Sequence, residues 1–292
     1  MIQGNASPVG QQLEVLWTSG TLTGLNDAQL VARFAGLRDA TAQSAFRELM
    51  NRHGPMVMGV CRQILRQPHD ADDAFQATFL VLVRKGGSIR VGESLAPWLY
   101  AVAYRTAQRA RIIASRYRVT PVEQLEKPVE SAADDLGRFD LRRLLHEELN
   151  RLPGKYREPI VLCHLEGKTH EEAARLLHWP VGTVSGRLSR GREILRSRLE
   201  RRGLAVPSAI LTAPWLNVTK TVPNPLVEST LTVAIGSAAG QSLSAAVLSL
   251  THGVLRAMLL NAFKTASIAL LLVGGITSGA VVWARWALVS PR

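Results

Sequence analysis

The sequence predicts an all-α protein: two small helical domains followed by an apolar C-terminal helix. Three observations predict it. Apolar residues recur at helical spacing from Asn26 to about Arg118 and again over 141–203, with no β-type alternation of any length before residue 203. Within the second stretch, a capping signature and a proline-forced turn mark two consecutive helices. Near the C-terminus, twenty consecutive residues from Thr265 through Ala284 carry no charge.

Composition divides the chain at about residue 203. Beyond it the only charged residues are Lys220, Glu228, Arg256, Lys264, Arg285 and Arg292. The chain has 292 residues, a net charge of +12 and a pI near 10.6, which favours a polyanionic partner, either nucleic acid or an anionic membrane surface. Cys61 and Cys163 lie far apart among apolar neighbours, so neither a metal site nor a disulfide framework can be built from them. No basic segment followed by an apolar run opens the chain, so no secretory signal is expected.

Residues 1–26 lack periodicity and are expected to form a loose tail. Asp27 is placed as the cap of a helix through Phe34. A longer helical stretch carries Phe46, Leu49, Met50, Val57, Val60, Cys61 and Ile64, with Gly54-Pro55 expected to interrupt it. The next helix, Asp70–Lys85, has Asp70, Asp72 and Asp73 in its first turn and Arg84 and Lys85 in its last, the charge order that the helix dipole favours. Gly86-Gly87 offers a left-handed exit. A further helix runs from near Pro97 toward Ser115. Residues 119–140, with Pro121, Pro128 and little periodicity, are expected to be a linker.

In the second domain, Thr169-His170-Glu171-Glu172 has the form of a capping box and opens a helix through Leu177. His178-Trp179-Pro180-Val181 forces a turn, because Pro180 lacks an amide donor and restricts the residue before it. A helix from about Gly182 to Arg201 follows. Together with a preceding helix that ends at Gly167, this is a helix-turn-helix. Val184, Leu188 and Leu195 share its core face; Ser185, Gly186, Ser189 and Arg190 fall opposite, with Arg187 and Arg192 on the flanks. Small residues allow close backbone approach to DNA and arginines supply phosphate contacts, so Thr183, Ser185, Gly186, Arg187, Ser189, Arg190 and Arg192 are the candidate DNA-binding set.

The stretch Leu152-Pro153, Tyr156-Arg157-Glu158-Pro159-Ile160, Leu165-Glu166-Gly167, Glu171-Glu172-Ala173-Ala174, Gly182-Thr183-Val184, Arg187-Leu188 and Arg190-Gly191-Arg192 resembles region 4 of sigma-70-type transcription initiation factors, and within them the extracytoplasmic-function (ECF) group. It departs from the usual pattern at Ser185-Gly186. The resemblance implies recognition of the minus-thirty-five promoter element and contact with the β flap of RNA polymerase. Asp70 through Phe79 resembles region 2.2, which implies docking on the β′ clamp helices by Asp72, Asp73, Gln76 and Phe79. Leu95 through Tyr100 and Ala103 through Ala107 resemble regions 2.3 and 2.4. That implies promoter opening and minus-ten reading by Trp98, Tyr100, Tyr104, Arg105 and Arg109: aromatics that stack on unpaired bases among arginines that face phosphates. Of the aromatics, Trp98 is the first expected to be core instead.

The domain order expected is thus a tail at 1–26, region 2 at 27–118, a linker at 119–140, region 4 at 141–203, a small-residue-rich extension at 204–263, and a transmembrane helix at 264–286. At about 1.5 Å per residue the uncharged segment spans roughly 30 Å, a bilayer core. Lys264 and Arg285 bracket it, and Trp283 and Trp286 sit where interfacial aromatics would. The expected partners are core RNA polymerase, promoter DNA, an anti-sigma protein and a membrane through 265–284, with the DNA-binding half on the cytoplasmic side of the inner membrane. The alternative is a membrane-anchored helix-turn-helix regulator without the sigma role. No cofactor and no catalysis are expected: His170-Glu171-Glu172 has no histidine at position 174 to complete a zinc pair, and Gly86-Gly87 lacks the lysine of a phosphate-binding loop.

Overall fold

A computed structural model describes residues 22, 24–36, 40–89, 92–117, 130–204, 211, 215, 222–234 and 244–260. Among the described residues the regular structure is helical, without strands. The first module holds α1 (Asp27–Gly36), α2 (Ala40–Ile64), α3 (Pro68–Lys85) and α4 (Ala96–Tyr117), with α1, α3 and α4 all packed on α2. Phe46, Leu49, Phe75, Phe79 and Leu82 are fully buried between them, and the Phe75 and Phe79 rings meet at 4.9 Å. The second module holds α5 (Glu130–Asn150), α6 (Gly154–Ile160), a π turn at Val161–Leu165, α7 (His170–Leu177) and α8 (Val181–Glu200).

The backbone departs from the sequence expectations at several points. Asn26, not Asp27, caps α1: its Oδ1 accepts from Gln29 N–H at 2.9 Å and Gln29 Oε1 accepts from Asn26 N–H at 2.9 Å. Asp27 is buried instead, held by His53, Arg52 and the Leu95 amide. Helix α2 runs unbroken through Gly54-Pro55. Gly54 serves close approach there, since a Cβ would lie 2.9 Å from the Val222 side chain.

Helix α3 begins at Pro68, whose missing amide costs nothing at a first helical position. Gly86 is right-handed, at φ −47° and ψ −46°, and leads into a 3-10 turn, so it is no left-handed exit. A Cβ on it would lie 3.2 Å from the Phe34 ring, which is reason enough for glycine. Residues 130–140, read as linker, belong to α5; Ala132, Ala133, Leu136 and Arg138 are good helix formers and lie beyond both prolines.

Part of the extension also lies among the described residues. Helix α9 (Asn224–Ala234) packs on α2 and α3, and a helix over 245–260, α10, follows. The chain divides into two compact units, residues 1–251 and 252–292, and only 252–260 of the second are described. No helix among the described residues is long and apolar enough to cross a membrane. The expected span at 264–286 lies outside the described residues, as do residues 1–21 of the tail and residues 119–129 of the linker.

Candidate nucleic-acid interface

The helix-turn-helix is built by local bonds. Thr169 Oγ1 accepts from Glu172 N–H at 3.1 Å, and Glu172 Oε2 accepts from Thr169 N–H at 2.8 Å, completing the capping box. The bond from the Thr169 amide, more than any charge, holds the Glu172 carboxyl below its usual range, so the box is ionised at neutral pH. Helix α7 ends with His178 in the left-handed region, at φ 53° and ψ 41°. His178 N–H bonds Arg175 O at 3.1 Å and Trp179 N–H bonds Ala174 O at 3.0 Å, a Schellman pair that turns the chain. Pro180 then caps α8. The left-handed residue was hidden in the sequence because a histidine, not a glycine, adopts it.

On α8, Val184, Leu188, Leu195 and Leu199 are buried, while Ser185, Gly186, Ser189 and Arg190 are exposed. Nothing lies within 4 Å of a Cβ built on Gly182 or Gly186, so this face is open. Thr183, Arg187 and Arg192 are half-buried at its margins. Arg187 stacks on the Trp179 ring at 4.0 Å, which holds the guanidinium beside the open strip. Arg190 pairs with Glu193 at 2.5 Å.

Gly191 is a packing residue that sequence reading missed: a Cβ there would lie 2.8 Å from Ile160 Cδ1. Near the C-terminal end of α8 and just past it, Arg198 and the exposed Arg202 pair with a carboxylate of α5. Arg198 and Arg202 reach the buried Glu148 carboxylate at 3.4 and 2.6 Å, with Arg151 at 2.9 Å. Within α8, Arg190 is exposed and Arg187, Arg192, Arg196 and Arg198 are half-buried.

Helix α4 sorts the other expected residues differently. Tyr100, expected to stack on bases, is fully buried; its hydroxyl donates to His146 O at 3.2 Å and lies 3.3 Å from His146 Nδ1. Burial pushes its phenol well above the ordinary value and pulls His146 down to about 4, so both are neutral. With His146 Nε2 donating to Gln63 Oε1 at 2.7 Å, Nδ1 is left as the acceptor.

Tyr104 is also core, 8% exposed, its hydroxyl accepting from Gln108 at 2.9 Å. Trp98, the first expected to be core, is half-buried and packs against the edge of the core without being enclosed by it. The reason is periodicity: 100, 104 and 107 share the face that meets α2 and α5, and Trp98 falls at its margin. Arg109 is exposed, and half-buried Arg105 donates from Nε to Ala101 O at 2.9 Å.

On α3, Phe79 is fully buried against Phe46 and Phe75, so it cannot meet a partner as expected. Asp72, Asp73 and Gln76 are half-exposed. Asp73 Oδ1 lies 3.4 Å from Ser244 Oγ, and Gln76 Nε2 donates to Ser229 Oγ at 3.0 Å. Among the described residues no cluster suited to a metal ion occurs.

Described residues that are helical throughout, with an open, basic helix-turn-helix face and a second group of packed helices, fit the nucleic-acid-binding proteins of transcription. The family models narrow this: "Sigma-70 region 2" matches residues 49–115 and "Sigma-70, region 4" matches residues 142–195. The RNA polymerase sigma factor CarQ of Myxococcus xanthus is 35% identical over 172 residues, 56% of this chain and 95% of the relative. The ECF RNA polymerase sigma factor SigW of Bacillus subtilis is 27% identical over 168 residues, 54% of this chain and 90% of the relative. A solved structure of CnrH in complex with the cytosolic domain of CnrY is 27% identical, covering 60% of this chain and 97% of that one at a TM-score of 0.32, too slight a likeness to bear on the arrangement. The chain belongs to the sigma-70 family of RNA polymerase sigma factors, in the extracytoplasmic-function group.

Proposed function

We propose that the protein binds core RNA polymerase through Asp72, Asp73 and Gln76 and directs initiation by placing α8 in the major groove of a minus-thirty-five element. The observation that carries this reading is the open strip of Ser185, Gly186, Ser189 and Arg190, with Arg187 steadied on Trp179 at its edge. Small residues let the helix backbone enter the groove, and the arginines meet phosphates or a guanine edge. Thr183 and Arg192 flank the contact.

In the same reading Trp98, Arg105 and Arg109 hold opened promoter DNA: one aromatic platform and two cations. Phe79, Tyr100 and Tyr104 act through packing alone. The polymerase performs the chemistry and this chain needs no cofactor. A protein of the anti-sigma kind that masks either surface is a natural regulator of such a factor.

Incubation with core polymerase, followed by transcription from a supercoiled promoter library, tests the reading. The expected result is a complex that initiates at a discrete set of promoters. A chain that fails to join core polymerase ends it. Tethering through 265–284 belongs to this proposal on sequence grounds alone: the full chain is expected in the membrane fraction and a chain ending at Gly203 is not. Full-length protein recovered wholly in the soluble fraction removes the tether.

A further inference from the structure

Helix α9 presents Val227, Thr230 and Leu231 as a buried face, at helical spacing, to α2 and α3. Its outer edge carries Glu228, whose carboxylate forms a bidentate ion pair with Arg47 of α2, the Nη2 to Oε2 arm measuring 3.0 Å. Ser229, one residue on, takes the hydrogen bond of Gln76. Fifteen residues later in the chain, Ser244 lies at Asp73, and α10 flanks a cleft between Asp70, Asp73 and Ile113 on one side and Ala246, Ser249 and Leu250 on the other.

The receiving surface is shaped for this segment. Gly54 lies under Val222, just before α9, and any side chain larger than hydrogen there would meet it at 2.9 Å. Shape, an ion pair and two polar contacts thus converge on one stretch of the chain.

We propose that α9 with the residues just before it (222–234) and the start of α10 (244–250) form an arm that competes in cis with RNA polymerase, covering the face of α3 that carries Asp73 and Gln76. This rests on the assignment of Asp72, Asp73 and Gln76 to polymerase docking. The arm engages two of those three side chains, so polymerase must displace it before docking there. A chain with its arm closed nine-tenths of the time binds with about a tenth of the intrinsic affinity.

The test uses the full-length chain and three variants, with affinity for core polymerase as the readout. Val227→Asp places a charge in the buried face of the arm and leaves the docking residues intact; binding is expected to tighten at least about threefold. Arg47→Cys/Glu228→Cys, joined by a short bis-maleimide, holds the arm closed. It is expected to bind at least about tenfold more weakly after crosslinking than before, which does not depend on Val227→Asp folding. Asp72→Arg, outside the arm contacts, checks the docking face itself and is expected to lose binding. If Asp72→Arg loses binding but crosslinking changes nothing, the arm does not compete and the proposal is overturned. If Asp72→Arg binds normally, the docking assignment falls, and the competition falls with it.

Discussion

His178 holds a backbone conformation that favours glycine, and Gly191 sits in mid-helix where a larger residue is the better helix former; each has a physical origin. His178 holds the left-handed conformation at the end of α7, where an L side chain costs about 1–2 kcal/mol. Glycine removes that cost but returns about 0.5–1 kcal/mol of unfolded-state entropy. His178→Gly is therefore expected to raise the unfolding free energy by roughly 0.5–1 kcal/mol, read from the denaturant midpoint; an unchanged midpoint would show that the turn bears no strain. Gly191→Ala has the opposite sign. Its Cβ meets Ile160 Cδ1 at 2.8 Å, and Ile160 is fully buried with little room to move. Overpacking costs about 1–3 kcal/mol against about 1 kcal/mol of helix propensity. A net loss of about 1 kcal/mol is expected, and Gly186→Ala, on the open face, should instead gain up to about 1 kcal/mol.

Helix α8 shows which parts of an element can be read from its own residues. Its start, core stripe and open strip were all legible, since Val184, Leu188 and Leu195 at helical spacing define one face without knowledge of the partner. The capping box of α7 was legible for the same reason: both its bonds close within four residues. Tyr100, Tyr104 and Phe79 were misread because their residue types suit either a core or a stacking surface, and only α2 and α5 decide between these. The pairing of Arg198 and Arg202 was equally hidden, since it needs Glu148 from α5. This division predicts how the arginines differ in DNA binding. Arg190→Ala should lower the slope of log affinity against log salt by about 0.9 for one lost phosphate contact. Arg198→Ala should leave the slope unchanged while lowering stability, because it strips a cation from a buried carboxylate. Fluorescence anisotropy across a salt series reads both, and equal slopes for Arg190→Ala and wild type would remove α8 from the DNA.

At the scale of the whole molecule, one buried cluster joins the two modules. His53 of α2 contacts Asp27 Oδ2 through Nε2 at 2.8 Å and Glu166 Oε1, beyond the π turn of the second module, through Nδ1 at 3.1 Å. Arg52 supports Asp27 at 3.4 Å, and the Leu95 amide donates to the same carboxylate at 2.7 Å. Burial alone pulls the imidazole pKa down, but the Glu166 charge and the bonds to Asp27 and Glu166 overcome it and raise His53 from 6.5 to about 10. Asp27 is pulled the other way: the bond and charge of His53 outweigh its burial and hold its carboxyl below the usual value. Because the folded pKa of His53 lies above the unfolded one, its contribution is complete below about pH 6.5 and declines as pH rises toward about 10. Each pH unit within that window removes at most about 1.4 kcal/mol through this group. The melting temperature should therefore fall progressively from pH 7 to pH 10. His53→Gln, which keeps hydrogen-bonding capacity without charge, is expected to cost about 3 kcal/mol at pH 7, since it leaves the Glu166 carboxylate without the imidazolium and Asp27 with Arg52 alone. The same variant should flatten the alkaline decline. Calorimetric scans of both proteins at intervals from pH 6 to pH 10 measure the two effects together. If the variant keeps the wild-type slope, His53 is not the group whose proton links α2 to Glu166 beyond the π turn.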